Sequence, residues 1–286
     1  MQTRWFSLIQ KGFLAVGISS LLAACGGDEV AEPEEQIAIV GGTMAQRLSA
    51  EVRRILPKEA GKDWVFDGYS DPQTREVAWS RFWTRHVDFT GVAWDSPRTL
   101  TMITPRHVVF AKHYVRKAGD VVKFHDRRGV EVQRVLMGLV KVPGSWDVGV
   151  GILNEPVPAG VKIYKLPTPA EDLHTQLNGA LAIVTDGKRK VHVHECRAMR
   201  PDRVVFRKSA SIPDGFFSAL VKGDSGNPSF VLSRGEPVLI ETHHTGGAGS
   251  GPFYGNPQIQ AEIRNAIAEL AVQFGGGELS FGTVSL

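Results

Sequence analysis

From about residue 86 the chain is cut into short segments rich in β-branched and aromatic residues. That segmentation limits its possible folds more than any other feature. "TLTMIT", "HVVFA", "DVVKFHD", "VEVQRVLMGLV", "DVGVGIL", "ALAIVTD", "KVHVHEC", "RVVFRKS", "PSFVL" and "PVLIETHH" follow one another, separated by Gly, Pro and Asp turns. Even spacing with little helix between the segments predicts an all-β sandwich or barrel.

Two helices flank the strands. In "TMAQRLSAEVRRIL", Leu48, Val52, Ile55 and Leu56 share one face, Thr43 suits the N-cap and Pro57 ends the run. A second helix closes the body: Asn256 is its cap, Pro257 fits its first position, and Ile259, Ile263, Ile267 and Leu270 form its buried face. The last residues, 276–286, read as a loose tail. No internal repeat is evident.

The first residues carry Arg4 and Lys11, then an apolar run too short to span a bilayer, then "LLAAC". This resembles the lipobox of bacterial lipoproteins, which implies a signal peptide over residues 1–24, acylation of Cys25 and export to the cell envelope. Gly26 after the cysteine is compatible with sorting to an outer membrane. The acidic stretch "GGDEVAEPEEQI" suits a solvated tether, so residues 25–42 are assigned to one. Roughly 240 residues then remain, ample for one sizeable core. Lys and Arg number 33 against 30 Asp and Glu, a formal +3. Loss of the leader removes two positive charges, and no basic stripe remains to bind nucleic acid. Cys25 and Cys196 are the only cysteines. With Cys25 acylated no disulfide can form, so stability must come from packing.

Three short stretches carry chemistry. In "KGDSGNPSF", Gly223 allows its own N–H and that of Ser225 to face a developing oxyanion, and Gly226 leaves room for a carbonyl to approach Ser225. The motif resembles that of the trypsin-like (chymotrypsin-fold) serine peptidases, with Asn227 where the family has a second glycine. A serine needs a base. "MITPRHVVFAKHY" is similar to the family's base-bearing strand end, and it aligns His113 as the base, with Tyr114 in place of a half-cystine. His107 falls where the strand begins and reads as a partly buried structural histidine. "SWDVGVGIL" is similar to the family's buried-acid segment and supplies Asp147, which would fix the imidazole tautomer.

The resemblance covers about residues 86–272 and implies two facing antiparallel β-barrels, residues 81–275, preceded by a helical extension over residues 43–80. It also implies peptide hydrolysis through an acyl-enzyme with no cofactor and no metal, on a protein or peptide substrate. The alternative is a catalytically silent binding module of the envelope on the same fold. "HTGG" at His244–Gly247 is similar to the substrate-facing strand of glutamyl endopeptidases. It places His244, Thr245 and Gly246 beside the substrate, and with Lys222 would favour a carboxylate. On another reading, His243 and His244 are two solvent-facing histidines at a strand end.

"IVGG" at Ile39–Gly42 resembles the freed N-terminus of activated enzymes of this class, whose amine would pair with Asp224. His192, His194 and Cys196 alternate on one strand face, as zinc ligands or as an exposed face. "WSRFWTRHVDF" reads as packed entry into the first barrel.

Overall fold

The computed structural model describes residues 42–68, 76–197, 199–276 and 280–286. The leader, Cys25, most of the tether and Ile39–Gly41 lie outside the described residues.

Among the described residues, fourteen strands and three α-helices follow in chain order. Helix α1 spans Met44–Ile55. The first sheet takes β1 (Val92–Ala93), β2 (Leu100–Met102), β3 (His107–Phe110), β4 (Val121–His125), β5 (Glu131–Lys141) and β6 (Gly149–Leu153). After β7 (Leu166–Pro167) and the short α2 (Leu173–Gln176) come β8 (Leu181–Thr185), β9 (Val191–Cys196), β10 (Arg203–Arg207), β11 (Pro228–Ser233), β12 (Glu236–Thr242) and β13 (Ser250–Pro252). Helix α3 (Pro257–Phe274) and β14 (Thr283–Val284) end the chain.

Two six-stranded antiparallel sheets result, in the orders β1-β2-β3-β6-β5-β4 and β12-β11-β8-β9-β10-β13. Each curls until its edge strands meet, β1 against β4 and β12 against β13. The all-β expectation of two barrel-like sheets with a closing helix holds, and the arrangement is compatible with a chymotrypsin-like two-barrel fold.

Strand alternation explains how the barrels fill and then pack together. On β3, Val108 and Phe110 join Val122, Phe124 and Leu136 in one cluster, while Val109 faces the opposite way. On β8, Ala182 and Val184 meet Val204, Val231 and Ile240, while Leu181 and Ile183 face outward. The outward residues of both sheets merge into a larger cluster with Phe89, Trp94, Tyr164 and Phe230 and the apolar face of α3. The crevice between the barrels is therefore a continuation of the main core.

The helix boundaries follow their caps. The Thr43 side chain accepts from Gln46 N while the Gln46 side chain accepts from Thr43 N, a full capping box. Asn256 Oδ1 accepts from the N–H groups of Gln258 and Ile259 at 2.8 and 2.9 Å. Helix α1 is part of the second barrel's body. Ser49 Oγ accepts from Leu181 N at 3.0 Å, and the Glu51 carboxylate takes the N–H groups of Arg234 and Gly235, both at 2.6 Å, in the turn between β11 and β12.

The terminal residues depart from the expected loose tail. Thr283–Val284 pair in parallel with Leu166–Pro167, and Phe281 is buried with the Arg264 guanidinium over its ring. The stretch from Trp79 to Phe89 packs as expected, with Trp83, Val87 and Phe89 buried in the main cluster. No described helix is long and apolar enough to cross a membrane.

Candidate active site

Each barrel delivers its part of the site from a strand end. Beyond β3 the chain turns, Tyr114 N donating to Ala111 O at 2.9 Å, and this exposes His113 at the rim. Asp147 lies two residues before β6, where Val142 N bonds Val148 O at 2.9 Å and holds the acid beneath the histidine. Ser225 sits on the turn leading into β11. The turn is folded by Asp224 N to Val221 O at 3.1 Å and Gly226 N to His243 O at 2.9 Å.

The three side chains form one hydrogen-bonded line. Asp147 Oδ1 accepts from the His113 backbone N–H at 3.0 Å, and Oδ2 lies 2.5 Å from Nδ1. The ring is thereby held with Nδ1 as donor, which leaves the Nε2 lone pair toward Ser225 Oγ at 3.0 Å. The Asp147 side chain is 5% exposed and that of His113 45%. A charge-assisted bond is thus shielded on the acid side while the base faces the cleft.

The nucleophile turn depends on glycine at two positions. Gly223 has φ +104° and Gly226 φ +87°, both in the left-handed region. A Cβ at Gly226 would also lie 3.4 Å from Thr99 O of the first barrel. Among the described residues the N–H groups of Gly223 and Ser225 have no acceptor. Two unsatisfied donors flanking a nucleophilic hydroxyl are what stabilisation of an oxyanion requires.

His107 takes no part in this line. It is 1% exposed, and the Thr104 hydroxyl accepts its backbone N–H at 2.9 Å and lies 2.8 Å from its Nδ1. Burial and the nearby Arg106 charge push its pKa down to about 4. A buried, neutral, structurally bonded histidine is the one anticipated for this position.

Asn227 is an interbarrel strut. Its side chain is fully buried: Oδ1 accepts from Trp94 Nε1 at 2.8 Å and Thr99 Oγ1 at 3.1 Å, and Nδ2 donates to Asp224 O at 3.0 Å. Trp94 and Thr99 belong to the connection between β1 and β2 of the first barrel. Sequence reading marked Asn227 as a departure from glycine, and nothing local in the chain showed that Trp94 and Thr99 would meet it.

Tyr114, expected from the sequence resemblance to stand in place of a half-cystine, is held by neighbouring charges. Arg98 lies over its ring at 5.5 Å, and the buried Arg116 forks onto Asp95 at 2.6 and 3.0 Å. These contacts hold the histidine's loop without a disulfide.

The proposed substrate wall divides into an exposed and a buried half. His244, Thr245, Gly246 and Lys222 are exposed at the cleft, with His244 N and Thr245 N both donating to Ser250 O at 2.8 and 3.2 Å. His243 corrects the reading of two solvent-facing histidines, because it is buried at 1% exposure. Its Nε2 lies 2.9 Å from Thr185 O, and its Nδ1 lies 2.7 Å from the buried Glu241 carboxylate, outside hydrogen-bond alignment. Burial disfavours its charge, but the Glu241 carboxylate outweighs that and raises its pKa.

The alternating set on β9 is neither an exposed face nor a metal cluster among the described residues. His192 pairs with Asp186 at 3.0 Å, His194 places its ring nitrogens 2.7 Å from Ala248 O and 3.0 Å from Ser218 O, and Cys196 is fully buried with its thiol pKa pushed up by burial. Asp224 is likewise engaged, its oxygens accepting from Val221 N at 2.6 Å and Gly187 N at 3.0 Å.

No family model matches the chain, and no curated protein matches it in sequence.

Proposed function

We propose that the chain is a serine endopeptidase of the trypsin-like class, held at the bacterial cell envelope by lipid on Cys25. The observation that carries this reading is the line from buried Asp147 through His113 to Ser225, closed by contacts of 2.5 and 3.0 Å. Ser225 Oγ attacks a substrate carbonyl as His113 Nε2 takes its proton. Asp147 stabilises the imidazolium, and the N–H groups of Gly223 and Ser225 receive the oxyanion. His113 then passes the proton to the leaving amine, and water attacks the acyl-enzyme with the same base. Exposed His244 and Lys222 support a preference for a carboxylate-bearing side chain before the scissile bond.

The test is labelling of the full-length chain by a fluorophosphonate, which reacts only with an activated hydroxyl. Wild type and His107→Ala are expected to label, and Ser225→Ala and His113→Ala to stay dark. A wild type that stays dark while folded would replace the hydrolase with a silent binding module on the same fold. Mass spectrometry of the mature N-terminus tests the anchor: Cys25 should carry acyl chains, and an unmodified N-terminus elsewhere would remove it.

A further inference from the structure

His244 stands beside the catalytic line, and a place on the substrate wall does not exhaust its chemistry. Its ring centroid lies 5.5 Å from that of His113, tilted by 50°. One ligand atom each from His113, Asp147 and His244 falls within 4.8 Å of the others. Among the described residues no other three His, Cys, Asp or Glu side chains converge in this way.

Two imidazoles and a carboxylate are the donor set of three-ligand zinc sites, which keep a fourth position for water. Calcium and magnesium, which seek all-oxygen shells, are poorly served by such a set. Zinc bonds of about 2.0–2.2 Å require the three atoms to draw together. His244 can supply that movement: it is exposed, and its side chain makes no hydrogen bond among the described residues.

We propose that His113, Asp147 and His244 bind a single zinc-like transition-metal ion, which turns the triad off. The binding site stands on geometry alone, whereas its regulatory consequence rests on the hydrolase reading above. Either ring nitrogen of His113 makes metal binding and catalysis exclusive. At Nε2 the ion consumes the lone pair that must receive the Ser225 proton. At Nδ1 it displaces to solvent the proton that His113 donates to Asp147. The metal-bound form is therefore inactive, and removal of the ion restores the line.

Titrating the full-length chain, free of any histidine tag, with Co2+ and reading its visible absorption tests the site without catalysis. One equivalent should saturate a tetrahedral-type band in wild type and in Ser225→Ala, and Zn2+ should displace it. His244→Ala should lose the band. No band in wild type, or the same band in His244→Ala, overturns the site.

The consequence is read as the ratio of fluorophosphonate labelling rates with and without Zn2+ inside each variant, so that a change in a variant's own rate cancels. For wild type the ratio should fall about 100-fold at zinc 100 times its Kd, since only the metal-free fraction reacts. For His244→Ala it should stay near one. Cobalt binding through His244 with zinc-insensitive labelling overturns the regulatory half. A wild type that never labels yet binds cobalt through His244 sinks the hydrolase reading and leaves the metal site standing.

Discussion

At the residue scale, burial decides what each ionisable group can do. Among the described residues the Asp147 carboxylate hydrogen-bonds to His113 alone, by two contacts, which suits it to hold one tautomer. Asp147→Asn keeps the shape but turns one contact into a donor, and labelling or turnover should fall by about 10⁴-fold, by analogy with other Ser-His-Asp triads. Comparing initial rates of the two folded proteins checks this. Glu241 and His243 make a different kind of pair, buried behind the nucleophile turn. Removing the carboxylate leaves the histidine without its counter-charge, so Glu241→Gln should destabilise the fold by about 3–5 kcal/mol, measured by denaturant unfolding. His113 and His107 lie six residues apart on one strand and its exit, yet one is half-exposed between Asp147 and Ser225 and the other is a core residue. The strand pattern in the sequence anticipates that separation, because a side chain protrudes where the strand ends.

At the element scale, the turn holding Ser225 is tied to the opposite barrel by the buried Asn227 side chain as well as by the Ser225–His113 contact. Asn227 satisfies Trp94, Thr99 and the Asp224 carbonyl together, which fixes Ser225 relative to His113. Asn227→Gly strands a buried indole N–H and a buried hydroxyl, each costing roughly 1–3 kcal/mol. Labelling by fluorophosphonate should slow, and the melting temperature should drop with it. Trp94→Phe removes one donor and should show a smaller fall in both. In helix α3, Ile263 is fully buried against the main core, and Ile263→Ala should cost about 2–5 kcal/mol without a proportionate loss of labelling per folded molecule.

At the scale of the whole molecule, stability should depend on pH through histidines that fold neutral. Burial pushes His107 and His194 down to about 4, below their ordinary 6.5, and for His194 it outweighs two carbonyl oxygens at the ring nitrogens that favour the charged form. Between those values the unfolded chain binds more protons than the folded one, so stability rises with pH and falls as pH drops from about 6.5 toward 4. Each group contributes at most about 3 kcal/mol to that loss. His243, whose pKa is raised, works in the opposite sense: its contribution is full below 6.5 and fades as pH climbs through its folded value. Thermal melts across this range should show net acid lability, and His107→Gln should flatten the slope. A slope of the opposite sign would show that the His243 pair dominates.

The sequence by itself determined the strand-rich class, the two helices and their caps, the fate of His107, and the candidates His113, Asp147 and Ser225. Each depends on short-range rules: strand alternation, cap chemistry, and motifs whose residues sit within a few positions of one another. Tertiary structure alone decided that α1 belongs to the second barrel, that the final residues pair with β7, and that His243 is buried while His244 is exposed. It alone joined Asn227 to Trp94 and Thr99, residues more than a hundred positions away. These contacts arise only when two sheets curl and pack, so no local window of the chain contains both partners.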